Sequence, residues 1–224
     1  LQRARVQGVW LKRPHVHTDA REQLQHWVVR GGDDEGRFAS SSASLSSLSP
    51  RVSVVRCNLA IPAEIAAAAE AVEAIAGEGG VHVLVSCAGI ARGDDEASMA
   101  FGVNHLGAFG LCEALTPALR KGAKQSRQPS RVVNVASTAE AWSYRPEGVR
   151  LAELEAVEAA EAAPLLPPSA GDFGGMRAYG ESKLCNILHA RELAKRHPPR
   201  ELVAVSVHPG VAPTQLQAPL GLAG

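Results

Sequence analysis

Two residues four positions apart, Tyr179 and Lys183, have the types and the spacing of an acid/base pair. On a helix, positions i and i+4 share one face about one turn apart, so a phenol would lie beside an ammonium group. The nearby positive charge favours phenolate and lowers a tyrosine pKa that is ordinarily about 10. Such a tyrosine can exchange a proton with a carbonyl or alcohol oxygen near neutral pH. Because an ordinary surface helix can have the same spacing, the interpretation depends on other segments of the chain.

Three apolar runs rich in valine and leucine, at residues 81–89, 131–137 and 202–210, predict buried β-strands. Near-continuous apolar runs are typical of strands that are covered on both faces, as in parallel sheets. Helical patterns alternate with these strands, and one of them opens with the apolar stretch at 101–107. This alternation predicts an α/β fold, a Rossmann-like, doubly wound parallel sheet in a single domain.

Five short motifs follow one another along the chain. They are Ser-Cys-Ala-Gly ending at Gly89, Val-Asn-His-Leu-Gly around Asn104, Val-Val-Asn-Val-Ala-Ser ending at Ser137, Tyr-x-x-x-Lys from Tyr179, and His-Pro-Gly ending at Gly210. With this ordered set the sequence resembles the short-chain dehydrogenase/reductase family. The likeness is to the branch that holds retinol dehydrogenases and protochlorophyllide reductases, and it runs from about residue 51 to residue 214.

The resemblance implies a role for each of four residues. Tyr179 would be the general acid/base, and Lys183 would lower its pKa and hydrogen-bond the nicotinamide ribose. Ser137 would hold and polarise the substrate oxygen, and Asn104 would anchor a water that links Lys183 to solvent. Hydride transfer leaves alkoxide character on an oxygen, which a hydroxyl donor and a proton source stabilise.

The resemblance also implies a nicotinamide cofactor, NADP or NAD, with the branch favouring NADP. Besides Tyr179 and Lys183, the residues expected to contact it are Asn58, Leu59, Cys87, Ala88, Gly89, Pro209, Gly210, Val211 and Thr214. Two of them depart from the family pattern. Asn58 stands where an aspartate is usual beside the adenine, and it can still donate and accept hydrogen bonds. Cys87 stands where an asparagine is usual, so that turn loses an amide.

Three of the polar residues also have purely structural interpretations. Ser137 could cap the segment that follows its strand. Asn104 could satisfy backbone groups at a helix kink, and His105 is better explained as a structural residue than as a catalytic one.

The N-terminal fifty residues lack the glycine-rich fingerprint that the resemblance leads one to expect. Those glycines seat the pyrophosphate on a helix N-terminus. The glycine cluster at 31–36 carries three carboxylates, which would repel a pyrophosphate, so a solvated loop is predicted there. Residues 18–29 could form a helix, and residues 38–50 are typical of a serine-rich linker. The expected division is an atypical segment at 1–50 and a partial short-chain dehydrogenase domain at 51–224.

Both ends and one internal stretch depart from the family pattern as well. The chain begins at Leu1 and stops shortly after Thr214, so it is expected to be truncated at the first strand-helix unit and at the C-terminus. An insertion at about 139–178 holds a predicted helix at 149–163, a proline-rich run and a glycine-rich run. Beside the site it could act as a lid or as a tolerated surface loop.

Composition narrows the classes of partner. The formal net charge is zero, which argues against nucleic acid because phosphate binding leaves a basic footprint. No apolar run reaches the roughly 20 residues of a membrane span. The four cysteines show no Cys-x-x-Cys spacing, so a reducing compartment fits better than a disulfide framework, and no metal site is expected.

Two functions therefore remain open. The first is an NAD(P)-dependent oxidoreductase that acts on an alcohol or carbonyl of an apolar small molecule. The alternative is a catalytically inactive interaction or regulatory protein on the same scaffold, which the missing glycine fingerprint favours. In this family the helices that start near Asn104 and Tyr179 commonly form a dimer interface, so a homodimer is a further expectation.

Overall fold

The computed structural model describes residues 7–12, 26–31, 52–90, 100–143, 149 and 176–210. Six strands form one sheet in the order β3-β2-β1-β4-β5-β6. They are β1 (Gln7–Lys12), β2 (His26–Gly31), β3 (Val52–Arg56), β4 (Val83–Ser86), β5 (Ser130–Val135) and β6 (Leu202–Val207). Strands β1, β4, β5 and β6 are parallel, whereas β2 runs antiparallel to both of its neighbours.

Three α-helices connect or follow the described strands. They are α1 (Pro62–Ala76), α2 (Ala108–Ser126) and α3 (Met176–Arg196). Proline at the start of α1 suits a first helical turn, where its missing N–H costs nothing. A π-helical turn, Gly102–Gly107, leads directly into α2, and a short 3₁₀ helix, Thr138–Trp142, follows β5.

The hydrophobic core lies between the sheet and the helices. Its fully buried members include Leu84 of β4, Leu111 and Leu115 of α2, and Val132 of β5. At Gly107, a Cβ atom would overlap the main-chain oxygen of Leu59, so only glycine permits this close approach of the π-helical turn. The core therefore fixes where the π-helical turn sits relative to the end of β3.

The α/β class, the Rossmann-like fold and the single domain are confirmed, but the sheet is not parallel throughout, because β2 is antiparallel to both of its neighbours. The N-terminal region differs from the expectation, because β1 is present and pairs in parallel with β4. The prediction of a helix over 18–29 is wrong for residues 26–29, which belong to β2. Both β1 and β2 join the same sheet as the strands after residue 50. Residues 13–25, the serine-rich linker, the predicted helix at 149–163 and the runs after it lie outside the described part, apart from Val149.

Two structural facts bear on the compositional expectations. All four cysteines are free thiols. Among the described helices, none is both long enough and apolar enough to span a bilayer.

Candidate active site

Tyr179 and Lys183 lie on one face of α3, as their spacing predicts. The Lys183 Nζ atom is 5.4 Å from the centroid of the Tyr179 ring. The same ammonium donates a hydrogen bond of 2.9 Å to the main-chain oxygen of Val135, the last residue of β5. Lys183 is 4% exposed, so the end of β5 holds a nearly fully buried amine beside the phenol.

Ser137 follows β5 and serves two functions at once. Its hydroxyl caps the 3₁₀ helix by accepting a 3.2 Å hydrogen bond from the Ala139 N–H, which agrees with the structural interpretation. Its side chain also lies close enough to the Tyr179 hydroxyl to lower the pKa of that phenol. Helix α3 can approach this closely because position 180 is glycine, where a Cβ would overlap the main-chain oxygen of Ala139. The capping and the catalytic interpretations of Ser137 are therefore compatible.

Asn104, in the π-helical turn, is 1% exposed and uses its whole amide. Its Oδ1 accepts from the Ile90 N–H at 2.8 Å, and its Nδ2 donates to the Ile90 oxygen at 2.9 Å and to Ser182 Oγ at 3.0 Å. Ser182 in turn donates to the main-chain oxygen of Tyr179 at 2.7 Å. Asn104 thus satisfies backbone groups, as the structural interpretation holds, and also ties the loop after β4 to α3.

The loop after β4 brings Gly89 against two of these side chains. A Cβ at Gly89 would lie 3.1 Å from Asn104 Oδ1 and 3.6 Å from Lys183 Nζ. Ala88 is buried, whereas Cys87 is exposed and lies close enough to influence the pKa values of both Tyr179 and Lys183. Four of the predicted positions therefore meet at one place: Cys87, Gly89, Asn104 and Lys183.

The expected direction of the Tyr179 pKa shift is wrong for this structure. Burial raises the pKa of Tyr179, and this effect outweighs the hydrogen bond with Ser137, which lowers it. Burial also lowers the pKa of Lys183 to about 8. Both shifts have the same cause, since removal from water disfavours the charged form of either group. The pair therefore carries less charge near neutral pH than the sequence predicts.

The remaining predicted cofactor residues lie at the same edge of the sheet or outside the described part. Asn58 Oδ1 accepts from the Ala60 N–H at 3.0 Å, so the acceptor half of its amide is engaged in the turn before α1. Leu59 is 2% exposed, which leaves only its main chain for a ligand. Pro209 and Gly210 are exposed, and Gly210 has φ of 81°; Val211 and Thr214 lie beyond the described residues.

A polar cluster behind the site was not predicted from the sequence. Asn186 Nδ2 donates to the main-chain oxygen of Asn104 at 3.1 Å, and Asn186 Oδ1 contacts His105 Nδ1 at 3.2 Å. Asn134 Nδ2 donates to the main-chain oxygen of Asn186 at 3.2 Å and lies 3.3 Å from His189 Nδ1. The spacing of residues 179, 183 and 186 on one helix face was the available signal for Asn186.

His189 is expected to make the protein sensitive to acid. Its pKa is lowered to about 4, first by burial and then by the charges of His105 and Arg196. Because the folded-state pKa lies below that of an unfolded histidine, the neutral form stabilises the fold above about pH 6.5, and this stability is lost as pH falls toward 4. The variant His189→Leu should therefore show a flatter decline of Tm between pH 6.5 and 4 than the parent. Equal slopes would contradict this assignment.

The comparisons with known proteins agree with this geometry. The sequence profile of the short chain dehydrogenases matches residues 17–146, which include Asn104 and Ser137. The chain is similar to retinol dehydrogenase 12 of Mus musculus, with 32% identity over 187 residues, 81% of this chain and 52% of that protein. It is also similar to the WW domain-containing oxidoreductase of Gallus gallus, with 36% identity over 135 residues, 58% of this chain and 29% of that protein.

Among solved structures, the fold is similar to that of the 3-alpha-hydroxysteroid dehydrogenase from Pseudomonas sp. B-0831 complexed with NADH. The TM-score is 0.56 at 28% identity, over 72% of this chain and 60% of that one. The chain spans about half, or less, of the two curated relatives named above. Since the family profile covers more than half of the chain, the chain belongs to the short chain dehydrogenase family of oxidoreductases.

Proposed function

We propose that the protein transfers hydride between a nicotinamide cofactor and an alcohol or carbonyl group of an apolar small molecule. The observation that carries this proposal is the assembly of Ser137, Tyr179 and Lys183, with Asn104 behind them, beside the carboxyl ends of β4 and β5. In open α/β sheets, ligands bind in the crevice at the carboxyl ends of the strands. The family membership and the similarity to retinol dehydrogenase 12 support an apolar substrate.

The side chains have distinct tasks in this proposal. When bound, the nicotinamide cofactor would supply the hydride for the carbonyl carbon. The Tyr179 hydroxyl donates its proton to the carbonyl oxygen, and the Ser137 hydroxyl, which lies beside Tyr179, holds that oxygen in place. Lys183 holds its amine beside the phenol. Because burial lowers the pKa of this amine to about 8, the amine can both bind and release a proton near that pH.

The residues present fit the nicotinamide ribose end of the cofactor. Gly89 leaves room between the loop and Lys183 that a Cβ would occupy, and Lys183 offers N–H donors for ribose hydroxyls. The pyrophosphate end differs, because the sequence from Lys12 to His26 contains no glycine. We infer that residues other than glycines bind the pyrophosphate, and that the cofactor is NADP rather than NAD.

Protection of Cys87 from a thiol reagent tests cofactor binding directly. Cys87 is exposed and the other three cysteines are buried, so a maleimide is expected to label Cys87 first. NADPH at about ten times its dissociation constant should slow this labelling about tenfold, because only the free protein reacts. The variant Cys87→Ser controls for background labelling, and NADH tests the preference. Labelling that millimolar NADPH leaves unchanged would contradict the proposed function.

The alternative is an interaction protein that uses the same scaffold without binding nucleotide. The missing glycine fingerprint favours it, and so do three large apolar side chains, Leu106, Phe109 and Leu188, that are 37%, 39% and 43% exposed. They lie on the π-helical turn, α2 and α3, and we propose that they form a homodimer interface. A chain that sediments as a dimer and gives no Cys87 protection would favour this alternative over the enzyme.

A further inference from the structure

The π-helical turn of Gly102–Gly107 holds Asn104 in a conformation that an α-helix does not provide. A π-helical turn shifts the hydrogen-bonding pattern to i→i+5, and such turns are frequent at functional sites. The core already fixes one end of this turn, where Gly107 meets Leu59. The side chain of Asn186, on α3, contacts the middle of the turn at two successive residues, Asn104 and His105.

The chemistry of the contacts fixes the orientation of the Asn186 amide. The main-chain oxygen of Asn104 only accepts hydrogen bonds, so the NH₂ group of Asn186 must face it. Oδ1 then faces His105 Nδ1, which must carry the proton. Asn186 is 2% exposed, and a buried amide with both ends engaged is well fixed.

We propose that Asn186 is a positioning residue that holds the π-helical turn in the register at which Asn104 faces the loop after β4 and Lys183. It lies three residues after Lys183, on the same helix face as the acid/base pair. Its N–H donates to the carbonyl of Asn104, whose side chain binds Ile90 and Ser182. This inference rests on the proposed function for its link to turnover.

Competitive labelling of Lys183 by acetic anhydride, quantified by peptide mass spectrometry between pH 6 and 10, tests this role without requiring turnover. Asn186→Leu keeps the side-chain volume and removes both hydrogen bonds. The released turn should admit water to Lys183, which favours its charged form, so the pH midpoint of labelling should rise by at least about half a pKa unit. The labelling rate reached at the highest pH should also increase, because the amine is more accessible. If Asn186→Leu does not fold, Asn186→Ala, which removes the same two bonds, takes its place with the same expected result.

Ser130→Ala is the matched control, because it removes two hydrogen bonds from a fully buried side chain that contacts the main-chain oxygens of Val81 and Leu119 and not the π-helical turn. A role that is merely structural would move Lys183 equally in both variants. An unchanged Lys183 midpoint in the Asn186 variant, or an equal shift in the control, would overturn the proposal. If the parent protein neither binds cofactor nor turns over substrate, the proposed function fails while this labelling still reports on Asn186. If the parent is active, kcat/KM should also fall in Asn186→Leu more than in the control.

Discussion

Tyr179→Phe is expected to lower kcat/KM by about 10²–10⁴-fold, the usual contribution of a positioned acid/base group. The substitution removes one oxygen and leaves the ring in place on α3. Since burial raises the pKa of Tyr179, the hydroxyl is neutral in the folded protein at pH 7, so the substitution changes no charge. The loss in stability should be at most that of one hydrogen bond, about 1 kcal/mol.

The chain offers a matched control for this variant, because Tyr144 is the only other tyrosine. Tyr144→Phe removes the same atom from a residue that the proposal does not use, and its turnover should stay within about twofold of the parent. Steady-state kinetics with a panel of apolar alcohols and aldehydes, alongside thermal unfolding, gives both quantities. Comparable turnover in Tyr179→Phe and the parent would refute the acid/base assignment.

Lys183→Met is expected to abolish most turnover and yet to stabilise the fold at pH 7. The pKa of Lys183 is about 8 in the folded state against an ordinary value of 10.5, so the buried ammonium costs stability below pH 8. That difference corresponds to about 3 kcal/mol, from which the lost hydrogen bond to Val135 subtracts about 1 kcal/mol.

The size of this effect depends on pH, which denaturation at several pH values can measure. The parent should gain stability as pH rises from 8 to 10.5, because the unfolded state binds more protons there. Lys183→Met lacks this gain, so its advantage should be largest near pH 7 and should vanish toward pH 10.5. A variant that is less stable than the parent at pH 7 would show that the ammonium is well solvated or well paired in the folded protein.

Much of the fold and part of the site follow from sequence patterns, for physical reasons that particular residues illustrate. The valine-rich runs identify β4, β5 and β6 as strands. The expected burial on both faces is wrong for β6, where Val203, Val205 and Val207 on one face are exposed. Tyr179 and Lys183 were predicted to share a face because helix geometry fixes that relation locally. Both predictions use information that lies within a few residues.

The features that sequence reasoning missed depend on distant contacts. Strand β1, with the mixed sequence Gln-Gly-Val-Trp-Leu-Lys, has no strong periodic pattern, and it is recognised through its pairing with β4. Asn186 contacts a carbonyl that is 82 positions away in the chain. The direction of the Tyr179 pKa shift depends on burial, which arises only when helix, strand and loop come together.

The reversed direction of β2 affects how the protein would distinguish between cofactors. In the parallel arrangement that the family resemblance implies, the last residue of the second strand lies beside the adenosine. Here the last residue of β2, Gly31, pairs with Gln7 at the opposite edge, and β2 instead begins at the ligand edge. There His26 is in register with Lys12 on one side and with Arg56 on the other. The ligand edge beside β1 is thus formed by the start of a strand, so we expect selectivity between NADP and NAD to depend on positions near residue 26 rather than on the end of the second strand.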